Sequence, residues 1–325
     1  MCTGVRFVDN NNNLYFGRNL DVEQSYGEKV MVTPRNYHIP MKHVEDITTS
    51  KAFMGMGITA GDYPLYFDVA NENGLAIANL NFPTQKIDGK IVEGLELFHY
   101  DKEVAEGKTN VTSYEFMLWI LENFDTVEQI KAFDLESNLH FVDTPLNEQM
   151  GTAPAHWLIS DEKASIVVEP MRAGVKVYDN PVGVLTNGPT FDWHLTNLNV
   201  YLGLTSESRK PVKWGEKQLH YIGVGNGTFG MPGDWNPTSR FVKVAFVNSF
   251  FPTQEGEAAN VRRLLQTLRS VAMPLGVVDE ESTIYSSCYS HATQTYYYDS
   301  VHDFKVHSHT MTEAEKTASS ITLFD

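Results

Sequence analysis

The sequence predicts an α+β fold in which helices cover antiparallel sheets. Segments with strand character come in two batches, and each batch is followed by a pair of segments with helical character. The regular strand–helix alternation of a doubly wound fold is absent. No linker-like, low-complexity or repeated stretch divides the 325 residues, so we expect residues 1–325 to form one domain.

The first batch of strands occupies residues 1–80. The runs GVRFVD and LYFGRNL flank the asparagine cluster Asn10–Asn13, and asparagine tolerates the positive φ of a tight hairpin turn. Turn residues Glu72, Asn73 and Gly74 separate two later strands. The remaining runs predicted as strands in this batch are KVMVTP, FMGMGIT, LYFDVAN and LAIANL.

Two helical pairs enclose the second batch of strands. Thr112 with Glu115, and Thr126 with Gln129, have the spacing of a capping box and predict two consecutive helix starts. The second helical pair is predicted at SRFVKVAFVNSFF and AANVRRLLQTLRSVAM. The second batch of strands is HWLISD, SIVVEP, VKVYDN and VGVLTN, and the strand-like tail is STIYSSCYS and TQTYYYDS.

The composition disfavours several classes of function. The formal charge of −16 opposes binding to nucleic acid or to an anionic membrane surface. No stretch approaches the ~18 apolar residues of a membrane span, and the N-terminus lacks the basic and apolar regions of a secretory signal. Two cysteines cannot build a disulfide framework, so we expect a cytoplasmic protein.

A glycine motif in the second half of the chain matches a cofactor pattern only by chance. Gly225, Gly227 and Gly230 satisfy G-x-G-x-x-G, but the dinucleotide site needs a helix to begin there. Pro232 and Pro237 follow and oppose such a helix. We therefore expect a structured loop.

A histidine pair near the C-terminus is the best candidate for metal ligands. His307 and His309 would share one face of a strand, but no third ligand stands at a recognisable spacing, so a solvent-facing pair is favoured. P-loop, H-E-x-x-H and G-x-S-x-G motifs are absent. We predict no metal site and no organic cofactor.

Cys2 is the strongest candidate for a chemical role. If Met1 is removed, this residue carries both a thiol and a free α-amine, and the amine has a reference pKa near ~8, so it can act as a base. One residue would then hold a nucleophile and a general base, as in other N-terminal nucleophile enzymes. The alternative is an accidental cysteine at a frayed terminus. Cys288 is interpreted as a small buried residue.

A hairpin argument gives Cys2 a charged neighbour. If the turn centres on Asn11 and Asn12, opposed residues sum to 23, and Cys2 faces Asp21 with Cβ atoms roughly 4.5–5.5 Å apart. Arg18 is also near, and a cation close to a thiol lowers its pKa. Because 18 and 21 differ in parity, either the strand bulges around Gly17–Asp21 or only one of the two reaches Cys2. Both could instead form an ordinary edge salt bridge.

Several segments in order along the chain resemble the choloylglycine hydrolase family, which contains bile salt hydrolases and penicillin V acylases. The resemblance implies a four-layer αββα sandwich with two antiparallel sheets and hydrolysis of a linear amide by an N-terminal nucleophile. Only Met1 precedes Cys2, so excision of Met1 would suffice to expose the amine. The matching segments are MCTGVRF, YFGRNLD, SYG, VTPRNY, YPLYFDVANENGLAIANLNFP, VGVLTNGPTFDW, MPGD and SRFVKVAF.

The resemblance also implies roles for individual residues. Cys2 is the nucleophile, and its α-amine is the base. Two residues would stabilise the oxyanion, Asn187 through its side-chain amide and Asn81 through its backbone N–H. Without the resemblance both asparagines would be interpreted as turn residues. The remaining implied members of the charged cluster are Arg18, Asp21 and Arg240.

The substrate implied is a small amphipathic amide. Bile salt hydrolases of the family typically carry Asn at the position of Asn81, where penicillin V acylases tend to carry Tyr. Conjugated bile salts are therefore favoured, and penicillin V or another N-acyl amide is the alternative. The residues expected to line an apolar cleft, each of which could instead be plain core, are Leu20, Tyr26 and the segment from Ile58 to Tyr66.

Two departures from the family bear on substrate preference. A long segment follows Pro83, and Val22 stands where some relatives carry an aromatic residue. The family further suggests a homotetramer. A hypothesis of another class is a non-catalytic binding module in which Cys2 is vestigial.

Overall fold

The structure is a computed structural model that describes residues 1–92, 95, 97–147 and 151–324. The strands of its first half are β1 (Cys2–Val8), β2 (Leu14–Val22), β3 (Lys29–Thr33), β4 (His38–Ile39), β5 (Ile47–Thr48), β6 (Phe53–Ala60), β7 (Tyr63–Asn71), β8 (Ala76–Asn81), β9 (Lys86–Ile87), β10 (Lys90–Ile91), β11 (Thr109–Val111) and β12 (Leu139–Phe141). Those of its second half are β13 (Ala155–Ser160), β14 (Ser165–Met171), β15 (Gly174–Asp179), β16 (Val184–Leu185), β17 (Val212–Trp214), β18 (Lys217–Leu219), β19 (Ser282–Ser290), β20 (Thr295–Ser300), β21 (Asp303–Thr310) and β22 (Thr322–Phe324). The α-helices are α1 (Phe116–Asn123), α2 (Val127–Phe133), α3 (Leu135–Asn138), α4 (Phe191–Asn197), α5 (Pro237–Phe250), α6 (Glu257–Arg269) and α7 (Glu313–Lys316).

Two large antiparallel sheets form the centre of the molecule. The first has the strand order β16-β1-β2-β19-β20-β21, and the second has the order β15-β14-β13-β8-β7-β6-β3-β22. The sheets face each other, since β1 contacts β8 and β2 contacts both β7 and β8. Helices α5 and α6 cover the first sheet, and α1 covers the second. The layers are therefore helix, sheet, sheet and helix, which confirms the predicted αββα class.

The predicted helices form, with one capping motif changed. Thr126 and Gln129 make the full capping box at the start of α2. At α1 only half of the predicted box is present: the Glu115 carboxylate accepts the Thr112 N–H, while the Glu115 N–H donates to the Thr112 carbonyl. Asn236 caps α5 just ahead of Pro237, whose fixed φ suits the first helical position.

The predicted pairing between β1 and β2 is wrong by one residue. Cys2 lies opposite Leu20 and not opposite Asp21, because paired residues sum to 22. The Asp9 N–H donates to the Asn13 carbonyl, and Asn12 adopts the left-handed conformation with φ 61°, so the hairpin loop has an odd number of residues. A shift of one residue exchanges the two faces of a strand.

The corrected register resolves the parity problem around Cys2. Arg18 lies opposite Gly4, so the side chains of Cys2, Arg18 and Leu20 share the face that looks toward the second sheet. Asp21 lies on the other face, which is covered by α5 and α6. No bulge interrupts the pairing of β1 with β2 in the described register.

The rejected motifs are ordinary surface structure. The segment around Gly225 and Gly227 is a loop with a short 3₁₀ turn at Asn226–Thr228, as expected. His307 contacts Asp303, and His309 contacts Glu315. Within the described ranges, no group of three or more His, Cys, Asp or Glu side chains could hold a metal ion. In the same part of the chain, no helix has the length and apolar character needed to cross a membrane.

Candidate active site

Cys2 lies at the start of β1 in a cleft between the two sheets. The cleft has a volume of about 500 Å³, and the Cys2 side chain is buried in its wall. Strand β16 ends at Leu185, which pairs with Gly4, so the chain that follows β16 runs directly past Cys2. The residues that line the cleft are Met1, Cys2, Arg18, Leu20, Asp21, Val22, Glu23, Gln24, Tyr26, Ile58, Phe67, Asn79, Leu80, Asn81, Ala153, Pro154, Ala155 and Glu281.

Arg18 holds the thiol of Cys2. Its Nη2 donates to Cys2 Sγ at 2.5 Å, and its Nη1 donates to the carbonyl oxygens of Phe67 at 2.8 Å and Asn79 at 2.6 Å. Burial works against the charge of Arg18, but Cys2 and nearby acidic groups favour it, and the net effect raises the pKa of the guanidinium. The Cys2 sulfur therefore accepts a hydrogen bond from a charged guanidinium.

Asn187 contacts the backbone nitrogen of Cys2, whereas Arg18 contacts its thiol. The Cys2 N–H donates to Asn187 Oδ1 at 3.0 Å, and Asn187 Nδ2 donates to the Asn81 carbonyl at 2.6 Å. Arg240 Nη2 also donates to Asn187 Oδ1, at 2.6 Å, which fixes the orientation of the amide. The structure therefore brings Asn81, Asn187 and Arg240 together with Cys2.

Arg240 reaches the site from α5, on the helix-covered face of the first sheet. Its Nη1 donates to the Cys2 carbonyl and to Thr3 Oγ1, both at 2.6 Å, and lies 3.9 Å from Asp21 Oδ2. Burial lowers the pKa of the Arg240 guanidinium, and the charges of Asp21 and Cys2 oppose that shift. Arg240 thus clamps the backbone of Cys2, while Arg18 contacts its thiol.

Asp21 supports the chain end and does not contact the thiol. Burial raises the pKa of its carboxyl, and the charge of Arg240 and a 2.6 Å hydrogen bond from Thr283 oppose that rise. The backbone of Asp21 pairs with Met1: the Met1 ammonium donates to the Asp21 carbonyl, and the Asp21 N–H donates to the Met1 carbonyl. The ammonium also contacts the Glu281 carboxylate.

Three of the four residues predicted to contact substrate lie in the cleft, and one does not. Leu20, Tyr26 and Ile58 line it. The prediction for Tyr66 is wrong: its ring lies in the core between the second sheet and its helices, and its hydroxyl is 2.7 Å from Thr33 Oγ1. A register shift between β6 and β7 makes Phe67 the extra residue of a bulge, so Phe67 and not Tyr66 lines the cleft.

Comparison with known proteins gives a consistent result. Residues 2–322 match the family model for linear amide C–N hydrolases of the choloylglycine hydrolase family. The chain belongs to the choloylglycine hydrolase family. It is therefore a linear-amide hydrolase whose sequence presents Cys2 as the expected N-terminal nucleophile.

Full-length relatives carry names within this family. The chain is 44% identical to a conjugated bile acid hydrolase of Lactobacillus gasseri, with 98% of both proteins covered. It is 42% identical to a bile salt hydrolase/transferase of Bifidobacterium longum, with 99% of this chain and 98% of the relative covered.

The fold matches that of solved structures. A mutant of the conjugated bile acid hydrolase from Clostridium perfringens superimposes with a TM-score of 0.89 at 36% identity, covering 100% of this chain and 97% of that one. A penicillin V acylase from Agrobacterium tumefaciens shares the fold, with a TM-score of 0.72 at 21% identity, covering 99% of this chain and 90% of that one.

Sequence reasoning missed several residues of this choloylglycine hydrolase cleft. Asn79 lines it. Its carbonyl oxygen and its side-chain oxygen accept hydrogen bonds from Arg18 Nη1, at 2.6 and 3.2 Å. Asn79 lies two residues before Asn81 on β8, so the shared face of a strand could have identified it. Glu281 belongs to a loop far along the chain from Cys2, and no local sequence pattern identifies it as a residue of the cleft.

A buried network fixes the two segments that carry Asn81 and Asn187. His156 stacks on Phe82, which follows Asn81, and its Nε2 lies 3.0 Å from the Thr186 carbonyl. Its Nδ1 lies 3.2 Å from Glu169 Oε1. Burial raises the pKa of the Glu169 carboxyl, and the His156 contact opposes that rise.

His194 of α4 supports Asn187 directly. Its Nε2 lies 2.8 Å from the Asn187 carbonyl, and its ring stacks on Phe241, the neighbour of Arg240. Burial lowers the pKa of His194 to about 4, so the ring is neutral near pH 7 and donates its Nε2–H to that carbonyl. The helix therefore holds the loop that carries Asn187 without adding charge to the site.

Proposed function

We propose that this chain hydrolyses the amide bond of glycine- or taurine-conjugated bile salts with Cys2 as the nucleophile. The observation that carries the proposal is the arrangement at Cys2: its Sγ accepts from Arg18, and its nitrogen donates to Asn187 in a partly apolar cleft. Two relatives at 44% and 42% identity, matched over nearly their full lengths, bear names of that activity.

The chemistry requires removal of Met1. In the described chain the nitrogen of Cys2 is a peptide N–H that already donates to Asn187 Oδ1. Removal of Met1 turns the same atom into an α-amine at the same place. With a reference pKa near ~8, that amine exchanges a proton easily at neutral pH. It then serves as the base for its own thiol.

Acylation proceeds in two proton-balanced steps. The thiol proton passes to the α-amine as Sγ attacks the substrate carbonyl carbon, and the carbonyl electron pair moves onto oxygen. When the tetrahedral intermediate collapses, the C–N bond breaks, and the ammonium of Cys2 gives its proton to the departing nitrogen. The amino acid leaves, and the acyl group stays on Sγ as a thioester.

Deacylation reverses the proton path. Water attacks the thioester carbonyl while the α-amine takes a proton from it, and the C–S bond then breaks. The bile acid leaves, and the proton returns to the sulfur. No co-reactant other than water is needed.

Asn187 and Asn81 are the proposed oxyanion donors. One N–H of Asn187 Nδ2 is used by the Asn81 carbonyl, and the second is available for the developing charge. The backbone N–H of Asn81 is the other proposed donor. Each such donor is worth about 2.7–4 kcal/mol in comparable acyl-transfer sites.

The charged residues around Cys2 have separate proposed roles. Arg18 stabilises the thiolate through its contact with Sγ. Arg240 fixes the Cys2 carbonyl and the Asn187 amide, and Asp21 supplies counter-charge to Arg240. The three groups therefore orient Cys2 without taking part in proton transfer.

The cleft suits the steroid part of the substrate. Leu20, Ile58, Phe67 and Leu80 contribute apolar walls next to Cys2. Asn81 stands at the mouth with a polar side chain where the family's penicillin V acylases tend to carry tyrosine. A wide apolar cleft with a polar mouth fits an amphipathic amide.

We further propose a cytoplasmic homotetramer. Cys2 and Cys288 are both free thiols, which fits a reducing compartment. An exposed arm, residues 198–230, presents many large apolar side chains to solvent, as a subunit contact would. Those residues are Val200, Leu202, Val212, Trp214, Tyr221, Ile222, Val224 and Phe229.

The decisive experiment compares substrates and tests the nucleophile together. We expect the mature protein to release glycine or taurine from conjugated bile salts faster than it cleaves penicillin V. Cys2→Ala should abolish both reactions with the fold unchanged by circular dichroism. Cys288→Ala is the matched control, because burial raises the pKa of that thiol well above its ordinary value and makes it unreactive.

The outcomes separate the alternatives. Faster turnover of penicillin V would overturn the choice of substrate while leaving Cys2 as nucleophile. Full activity in Cys2→Ala, or in protein whose mass shows Met1 still attached, would reject the catalytic mechanism. A mature protein that binds bile salts and cleaves no amide would favour a binding module.

A further inference from the structure

A second buried carboxylate lies behind Arg18, and the mechanism above does not use it. Asp68 of β7 is 1% exposed and points into the space between the two sheets. Its Oδ1 accepts the Tyr285 hydroxyl at 2.6 Å. Its Oδ2 accepts the hydroxyls of Tyr296 at 2.6 Å and Ser287 at 3.0 Å.

Three converging donors define the ionisation state of Asp68. An ionised carboxylate is purely an acceptor, so it satisfies all three hydroxyls at once, whereas a protonated one would set a donor against a donor. Burial raises the pKa of the Asp68 carboxyl, and the charge of Arg18 and the three hydroxyls oppose that rise. The three hydroxyl donors therefore favour the ionised form of Asp68 in the dry interior.

The Asp68 carboxylate is a counter-charge for the buried guanidinium of Arg18. In the described part of the chain, the hydrogen bonds from the Arg18 guanidinium go to oxygens of Asn19, Phe67 and Asn79 and to the thiol. None of these oxygens carries a charge. A buried cation needs compensating charge, and the charges of Cys2, Asp68 and Asp21 all favour the charged form of Arg18 against its burial.

Two structural links also connect Asp68 to the position of Arg18. The Arg18 backbone N–H donates to Ser287 Oγ at 3.1 Å, and the same hydroxyl donates to Asp68. In addition, Phe67 is the bulge residue directly before Asp68, and its carbonyl accepts a hydrogen bond from Arg18 Nη1. The hydroxyls that hold Asp68 therefore also hold the bulge.

We propose that Asp68, held by Tyr285, Tyr296 and Ser287, is a positioning residue that sets the orientation and the effective charge of Arg18 at the Cys2 thiol. This inference rests on the proposed function of Cys2 and extends it to residues that touch neither substrate nor thiol. Strands β19 and β20, which carry these three hydroxyls, thereby influence the orientation of Arg18 at the Cys2 thiol.

The test measures the thiol and the turnover separately. The pH dependence of Cys2 alkylation by iodoacetamide, monitored by peptide mass spectrometry, reports the thiolate without any substrate. Asp68→Asn removes a negative charge near Arg18, so the guanidinium should stabilise the thiolate more strongly. We expect the alkylation midpoint to fall by about one pH unit.

Ser287→Ala provides a second variant that keeps the charge. It breaks the link between the Arg18 backbone and Asp68, and we expect kcat to fall roughly tenfold with KM nearly unchanged, because a displaced Arg18 misplaces the thiol. Asp161→Asn is the matched control: its carboxylate is also buried, but it accepts backbone N–H groups of Val127, Lys163 and Ala164 away from the cleft. Its alkylation midpoint should equal that of the wild type.

The outcomes distinguish this inference from the proposed function. If Asp68→Asn and Ser287→Ala lose thermal stability like Asp161→Asn but keep the wild-type midpoint and kcat, Asp68 is structural only and the inference is overturned. If Asp68→Asn does not fold, an unchanged kcat in Ser287→Ala overturns it. If the wild type hydrolyses no amide but the midpoint still moves in Asp68→Asn, the inference holds and the proposed function fails.

Discussion

Asn187 is hydrogen-bonded to four different residues of the site. Its Oδ1 accepts from the Cys2 nitrogen and from Arg240, its Nδ2 donates to the Asn81 carbonyl, and its own carbonyl is held by His194. The acceptor half of the amide therefore holds the Cys2 nitrogen and Arg240, and the donor half is the proposed oxyanion donor. Substitution can separate these two roles.

Asn187→Asp keeps the acceptor and removes the donor at almost unchanged size. We expect kcat to fall about 10²–10³-fold, since that is the usual effect of losing one oxyanion donor. KM should change little, because the donor acts mainly in the transition state. Steady-state kinetics on a glycine-conjugated bile salt would measure both constants.

The matched control is Asn180→Asp, since Asn180 is a buried asparagine whose amide also bonds on both sides, to Gly183 and Val184. It lies outside the cleft and should retain the wild-type kcat. A wild-type kcat in Asn187→Asp would remove this side chain from the oxyanion site.

At the scale of elements, the hairpin of β1 and β2 determines which side chains reach the cleft. Its register places Arg18 on the face of Cys2 and Gly17 on the opposite face. Strand β2 lies so close to its neighbours here that a Cβ on Gly17 would stand 1.9 Å from the Ser287 carbonyl oxygen and 2.9 Å from Leu264 Cδ2. The absence of a side chain at Gly17 is thus what lets β2 pair tightly with β19.

Gly17→Ala should therefore both destabilise the protein and displace Arg18. Overpacking of this kind typically costs about 1–3 kcal/mol, and we expect kcat to fall as well because Arg18 is the next residue. Urea unfolding and steady-state kinetics would measure the two effects. Gly233→Ala is the control, because a Cβ there meets no atom within 4 Å. Equal stability of the two variants would contradict the close approach.

The sequence predicted elements better than it predicted registers. Periodicity and capping residues such as Thr126 and Gln129 identified the helices, because these signals are local. The face of the sheet on which the Cys2 side chain lies depends on whether the turn at Asn10–Asn13 has two or three residues. Asparagine suits both kinds of turn. The bulge that exchanges Tyr66 for Phe67 arises from pairing between β6 and β7, which local sequence does not encode.

The same limit applies to the site. Cys2 could be identified from its position, whereas Asn187 and Arg240 became candidates only through the family resemblance, since each lies far along the chain from Cys2. Asp68 had no signal at all, because its partners Tyr285 and Tyr296 belong to the other sheet. Contacts between sheets depend on the assembled fold and not on any single segment.

For the whole molecule, the exposed arm at residues 198–230 is the part of the described surface with many large, exposed apolar side chains. Its short hairpin β17–β18 carries Trp214, and the loop that follows carries Ile222 and Val224, both almost fully exposed. Exposed apolar area of this kind stabilises an assembly when a partner covers it. The arm precedes α5, the helix that carries Arg240.

We expect the wild type to elute as a tetramer, with four times the chain mass by light scattering after size-exclusion chromatography. The double variant Ile222→Ser and Val224→Ser should shift the protein to smaller species without loss of folding, because neither side chain packs inside its own subunit. Ile87→Ser, at another exposed isoleucine, should remain tetrameric. A monomeric wild type would exclude the proposed assembly.

The pairing of Met1 with Asp21 has a consequence for the timing of maturation. In the folded chain Met1 extends the ladder of β1 and β2, and its ammonium is bonded to the Asp21 carbonyl and to Glu281. Because these bonds must break before an aminopeptidase can bind the terminus, we expect Met1 to be removed faster from the unfolded chain than from the folded one. Under the proposed mechanism, a molecule that keeps Met1 is inactive, so the yield of active enzyme depends on how much of the protein loses Met1 before it folds.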